Sequence, residues 1–264
     1  MNVLKYFFRF IKHYVNSNNF RHVHSPFVFD LCYNIIKGKT DKDKFKNIEL
    51  LRLLLLHDTR QININSYGAG SHFKNTGQFA KVKQIVRRTS MNTKLCRLLA
   101  RIASKINPAT VLELGTAAGF STMYLATQCR NAKIYTIEGS EQIYQLALEN
   151  FQKLNLDNII AINNTFENSL EKVLNNIKQL DFVLFDGNHQ KEATIDYFYK
   201  CLPFTHSNTL FVFDDIYWSK GMMQAWKIIQ NHPDVSISID LFYFGLVFIK
   251  NDMIKQHFDL RYIL

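Results

Sequence analysis

Two short runs end apolar segments and carry the side chains best suited to chemistry. Asp186-Gly187-Asn188-His189 follows Phe182-Val183-Leu184-Phe185, and Asp214-Asp215 follows Phe211-Val212-Phe213. An imidazole three residues beyond a carboxylate is a candidate general base, because histidine is mostly neutral near pH 7. If the two segments are neighbouring parallel strands, three carboxylates converge at one sheet edge. Like charges at that proximity are costly unless a proton or a cation separates them. A hard divalent cation such as Mg2+, held by Asp186, Asp214 and Asp215, would resolve the conflict with oxygen ligands. The plainer alternatives are a turn capped by the paired aspartates and a solvated loop histidine.

A third run, Val111-Leu112-Glu113-Leu114-Gly115-Thr116-Ala117-Ala118-Gly119-Phe120-Ser121, reads as strand, small-residue turn and helix start. Gly115 ends the strand and Gly119 opens the helix, so a ligand can approach the backbone at a helix N-terminus. A nicotinamide site would need G-x-G-x-x-G to seat a pyrophosphate, and Ala117 stands where its second glycine belongs. Glu113 lies where a carboxylate can meet a cationic amino group. Glu138 ends the next predicted strand at a spacing suited to ribose hydroxyls. An acid, a small-residue turn and a second acid describe a pocket for an adenosyl amino acid.

These ordered motifs, spanning about Thr89 to Ile249, resemble the class I S-adenosylmethionine-dependent methyltransferases. The resemblance implies that Glu113 and the turn (Gly115, Ala117, Gly119 and Ser121) hold the methionine end, and Glu138 the ribose. Thr165 would lie near the adenine, its alternative being an ordinary helix cap, and Asp186 would border both cofactor and acceptor. The Asp186–His189 and Asp214–Asp215 runs further resemble the metal-dependent O-methyltransferases. That likeness implies magnesium at the three aspartates and His189 as base, and Trp218 matches an aromatic residue found there in the catechol type. Asp215 departs from the catechol type, which has asparagine there.

The elements that must position these residues follow from periodicity. From Thr110 onward, strands at 111–114, 133–137, 159–162, 182–185, 210–213, 237–243 and 246–249 alternate with helices. This predicts a doubly wound, seven-stranded, mostly parallel α/β sheet of Rossmann-like form. A hairpin across Phe244-Gly245 makes the last strand antiparallel. Residues 1–88 read as a helical extension or cap and 89–264 as the catalytic domain. Apolar residues at helical spacing fill Leu4 to Val15, Ser25-Pro26 starts a second helix, and a third covers 45–57. Tyr67-Gly68-Ala69-Gly70-Ser71 is read as a turn or a loop covering the pocket.

Composition bounds the function. The chain has 264 residues, 47% hydrophobic and 20% charged, which is the balance of a globular protein. Four widely spaced cysteines without a CxxC pair suit reduced thiols in the cytoplasm. The formal net charge of +10 favours anionic partners. Nucleic-acid methylation is nevertheless disfavoured, because Asp186-Gly187-Asn188-His189 lacks the proline and aromatic that hold a flipped base. A non-catalytic or membrane-surface role, suggested by the basic amphipathic Lys5–Lys12 stretch, is the remaining alternative. The reading that results is O-methylation of a small hydroxylated acceptor, by a monomer or a homodimer.

Overall fold

The computed structural model describes residues 3–64, 79–250 and 253–263. Tyr67–Ser71 lies outside them. The centre of the fold is built by strands β3 (Thr110–Leu114), β4 (Lys133–Glu138), β5 (Ile159–Asn163), β6 (Phe182–Phe185) and β7 (Leu210–Asp214), all mutually parallel. Strands β6 and β7 are buried on both faces, which is why they read as unbroken apolar runs. Beyond β7 lie β9 (Phe244–Phe248), antiparallel to it, then β8 (Ile237–Asp240) and β10 (Gln256–Asp259). The order across the sheet is β10-β8-β9-β7-β6-β3-β4-β5. The order of the chain reverses between β3 and β6, placing a crevice at their C-terminal ends where such sheets bind ligands.

Two details differ from the sequence expectation. An eighth strand, β10, adds in parallel beside β8. Its short polar run, Gln256-His257-Phe258-Asp259, carries no apolar signal because it forms the sheet's edge. The hairpin also turns at Leu241–Tyr243 rather than at Phe244-Gly245. Asp240 Oδ1 accepts the Phe242 N–H at 2.8 Å and so starts the turn, with Phe242 at φ +70°. Gly245 lies inside β9 because Trp226 covers it: an added Cβ would fall 2.6 Å from the indole.

Helices cover both faces. They include α4 (Val82–Thr89), α5 (Thr93–Ile106), α6 (Phe120–Gln128), α7 (Glu141–Lys153), α8 (Phe166–Ile177), α9 (Lys191–Cys201) and α10 (Lys220–Asn231). Asn92 caps α5 by accepting the Leu95 N–H at 3.0 Å, and left-handed Asn107 ends it. Before them come α1 (Val3–Asn16), α2 (Pro26–Asp30, capped by Ser25) and α3 (Lys46–Leu55). One continuous apolar cluster joins Phe20, Leu31 and Phe45 of this region to α5, α6 and the sheet. The N-terminal segment also meets the C-terminal one, where Asn18 N donates to Asp259 O at 2.8 Å.

Helix α1 is fastened by its polar inner face. Arg9 Nη1 donates to the carbonyls of Tyr217 and Trp218 at 2.7 and 3.1 Å. His13 Nε2 lies 2.9 Å from Asp240 Oδ1, both groups fully buried, while Asp240 Oδ2 accepts Trp226 Nε1–H and the Tyr217 hydroxyl. A buried carboxylate with this many partners is strongly anchored. Two further short strands, β1 (Gln61–Asn63) and β2 (Phe79–Lys81), form an antiparallel pair.

Candidate active site

A cavity of about 530 Å³ opens at the C-terminal edge of β3, β4, β6 and β7. That volume suits a cofactor or drug-sized ligand. The cofactor-side residues that reach its wall are Gly115, Ala117, Glu138 and Thr165, and the other end is bounded by Asp186, His189, Asp214 and Asp215.

The β3–α6 turn shapes the first end. Gly115 adopts φ +109°, and a Cβ there would stand 2.3 Å from the Asp186 carbonyl oxygen, so only glycine lets β3 and β6 end this close. Ala117 takes φ +48°, a left-handed geometry unusual for alanine. It turns the Ala117 N–H toward Glu138 Oε2 at 3.0 Å, while Ser140 N–H donates to Oε1 at 2.9 Å. Backbone N–H groups of Ala117, Gly139 and Ser140 thus anchor the carboxylate at the cavity wall. Loss of hydration raises the Glu138 pKa, with these N–H groups opposing the rise.

Three expected cofactor residues lie behind the wall. Glu113 is fully buried and accepts hydrogen bonds from the Thr122 and Thr136 hydroxyls, the latter at 2.6 Å, with Ser121 also bonded to it. Burial raises its pKa against the pull of these donors. Gly119 is the left-handed N-cap of α6, at φ +82°, and a Cβ would meet the Phe151 ring of α7 at 2.4 Å. Its lack of a side chain therefore serves packing between α6 and α7. Glu113, Gly119 and Ser121 support the turn from beneath. Thr165 is the N-cap residue of α8, but its side chain makes no capping bond.

At the opposite end the Asp186 and Asp214 carboxyls are hydrogen-bonded to each other. Both are pushed well above the usual carboxylate range, by burial first and then by the neighbouring acids. A proton kept by one carboxyl would relieve the repulsion within this pair. Asp215, at φ +53°, faces the same cavity. Among the described residues, no group of three or more His, Cys, Asp or Glu side chains is arranged to hold a metal ion. The donor chemistry of the three aspartates matches magnesium, but a three-residue ligand grouping is not assembled.

His189 is half-buried, and burial lowers its pKa below the ordinary imidazole value despite the opposing charge of Asp215. Its ring lies 6.0 Å from that of Trp218. Preceding it, Asn188 takes φ +49° and donates to the Tyr197 hydroxyl at 3.0 Å, which in turn donates to Glu167. This chain of bonds fixes the loop that presents His189.

Sequence reasoning missed the rest of the wall. Tyr6 of α1, Tyr243 of the β8–β9 turn and Arg88–Asn92 between α4 and α5 all border the cavity. Burial, Asp215 and Asp214 raise the Tyr6 pKa, so its hydroxyl stays protonated. The Asn92 cap was a local signal that a loop precedes α5; nothing local distinguishes Tyr6 from its helix neighbours.

Residues 112–216, from β3 to the turn after β7, match a family model described as a methyltransferase domain. These residues carry a methyltransferase domain, on a doubly wound sheet. Solved structures share its fold at low identity. The O-methyltransferase from Bacillus cereus in complex with SAH is 16% identical, with TM-score 0.55, covering 83% of this chain and 95% of that one. The SAH-bound Podospora anserina methyltransferase PaMTH1 is 15% identical, with TM-score 0.57 and coverage of 81% and 98%. The Streptomyces achromogenes O-methyltransferase TomG, involved in tomaymycin synthesis and solved with SAM, is 18% identical, with TM-score 0.54 and coverage of 62% and 83%. The cavity described above lies within this methyltransferase domain, at the strand ends, and is completed by Tyr6 and the α4–α5 connection from outside the matched residues.

Proposed function

We propose that this methyltransferase binds S-adenosylmethionine in the cavity and methylates a hydroxyl of a small acceptor, with His189 as general base. The observation that carries the reading is the placement of an imidazole held neutral by burial in the same cavity as the doubly anchored Glu138 carboxylate. S-adenosylmethionine supplies an electrophilic sulfonium methyl when bound. The Glu138 carboxylate, at the cavity wall, suits a ribose hydroxyl, and Thr165 and the Phe166 ring border the space left for a base. Gly115 and Ala117 expose backbone toward the methionine end.

An attacking hydroxyl gains positive charge as its new bond forms, so its proton must leave during the step. Neutral His189 accepts it at a ring nitrogen, and Asp215 stabilises the imidazolium that results. The Asp186–Asp214 pair, sharing a proton, offers both a donor and acceptors to orient the acceptor oxygen. Residues 1–88 act as a cap in this reading, supported by Tyr6 and Arg88 at the cavity wall. Because, among the described residues, the three aspartates do not assemble a ligand grouping, no step is routed through magnesium, and proton transfer to His189 does not depend on it. Four buried free cysteines suit a cytoplasmic setting.

The test is transfer of labelled methyl from S-adenosylmethionine to a panel of hydroxylated acceptors, with and without chelator. Calorimetry on the folded protein with S-adenosylhomocysteine runs beside it. Absence of binding to either sulfur ligand would refute the assignment. Binding without transfer to any hydroxyl would refute only its O-methyl part.

A further inference from the structure

Helix α1 has two faces with different fates. Tyr6, Phe10 and His13 turn inward, Tyr6 to the cavity and Phe10 onto Phe242 at 5.1 Å between ring centroids. Leu4, Phe7, Phe8, Ile11 and Val15 recur at three- and four-residue intervals on the opposite side. They are open to solvent: Leu4 is 63%, Phe8 61% and Val15 65% exposed. A contiguous stripe of this kind marks an interaction surface rather than scattered surface apolarity. The helix cannot roll to hide it, because Arg9 and His13 pin the inner face to Tyr217, Trp218 and Asp240.

Charge selects the occupant. The first acidic residue of the chain is Asp30, so the whole helix is free of negative charge. Exposed Lys5 and Lys12 lie along one flank of the stripe. On the other, the Arg261 guanidinium sits 5.2 Å from the Tyr14 ring centroid. A second copy packed stripe to stripe would bring like charges together. A single convex helix also offers no groove to grip a peptide. Large apolar side chains flanked by cations, lying along one helix, instead match an anionic bilayer interface, where the apolar face enters the acyl boundary and the cations meet head groups.

We propose that the outer face of α1 docks the protein on anionic lipid membranes. The docking does not depend on the methyl-transfer reading. Among the described residues no helix is long and apolar enough to cross a membrane.

Flotation of the full chain with phosphatidylcholine vesicles, with and without phosphatidylglycerol, tests this. The expected result is co-flotation with the phosphatidylglycerol vesicles alone, weakening as salt is raised. Phe8→Asp should lower the partition coefficient by about tenfold or more, as expected for removing one buried phenylalanine. Lys12→Glu should lower it several-fold. Both positions are exposed, so thermal melting should match the wild type in each. No co-flotation at low salt, or wild-type flotation by Phe8→Asp, would overturn the proposal. A dimer detected by sedimentation velocity and abolished by Phe8→Asp would overturn it in favour of a second copy. Calorimetry with S-adenosylhomocysteine on the same samples keeps the fate of the methyltransferase reading separate.

Discussion

Replacing Asp186 by asparagine should stabilise the protein while impairing it. The folded Asp186–Asp214 pair is expected to keep one proton, because burial and then the neighbouring acids raise both carboxyls above their ordinary range. In the unfolded chain both ionise near pH 4. Between that pH and the folded pKa, the native state binds one proton more than the unfolded state. Stability is therefore fully present below the unfolded pKa and is lost as pH rises through the folded one. The slope is about 1.4 kcal/mol per pH unit for one proton. Asp186→Asn removes the repulsion and supplies an amide donor to Asp214, so it should stabilise the protein at pH 7 by about 0.5–2 kcal/mol, the usual scale of a single stabilising substitution, and flatten the slope. Urea denaturation of both proteins from acid to neutral pH, in chelator, measures the difference. Taking the difference cancels His189, whose lowered pKa contributes with the opposite sign. A variant no more stable than the wild type at pH 7, with an unchanged slope, would refute the shared proton. Stabilisation of the wild type by magnesium, absent in Asp186→Asn, would show that a cation separates the pair instead.

Other consequences are equally direct. Gly119→Ala should cost about 2–4 kcal/mol, from left-handed strain and from crowding of Phe151, with S-adenosylhomocysteine affinity of the folded fraction little changed; a large loss of affinity without loss of stability would contradict the packing role. Glu138→Ala should weaken S-adenosylhomocysteine binding about tenfold or more, read by calorimetry, since it removes two acceptors and frees the Ala117 N–H. His189→Ala should cut kcat by about 10²–10⁴-fold with cofactor affinity preserved. Because burial lowers the His189 pKa, the wild-type kcat profile should rise on the acid side of about pH 6.5 and be flat above it; a rise centred above that pH, or unchanged turnover in the variant when chemistry limits the rate, would remove His189 from the mechanism.

Local pattern was enough for the architecture. Apolar runs such as Phe182–Phe185 and Leu210–Phe213, alternating with helical periodicity, compel a parallel sheet because each must be covered on both faces. The Gly115 turn with Glu138 after the next strand was legible because backbone geometry and strand length set that spacing. The sequence also shows Asp186, His189, Asp214 and Asp215 at strand ends, and β6 and β7 do lie side by side. Only the tertiary structure decided which of the turn's residues face the cavity. The alternation of β3 sends Glu113 under the sheet edge toward Thr122 and Thr136, and Phe151 from α7 occupies the space beside Gly119. Neither contact has a local signature, since both join residues from separate elements. The same holds for α1. Its periodicity declares an amphipathic helix, but a helical wheel cannot say which apolar face is buried. Arg9, His13 and Asp240, brought together across more than two hundred residues, direct Tyr6 inward and leave Leu4, Phe8 and Val15 facing out.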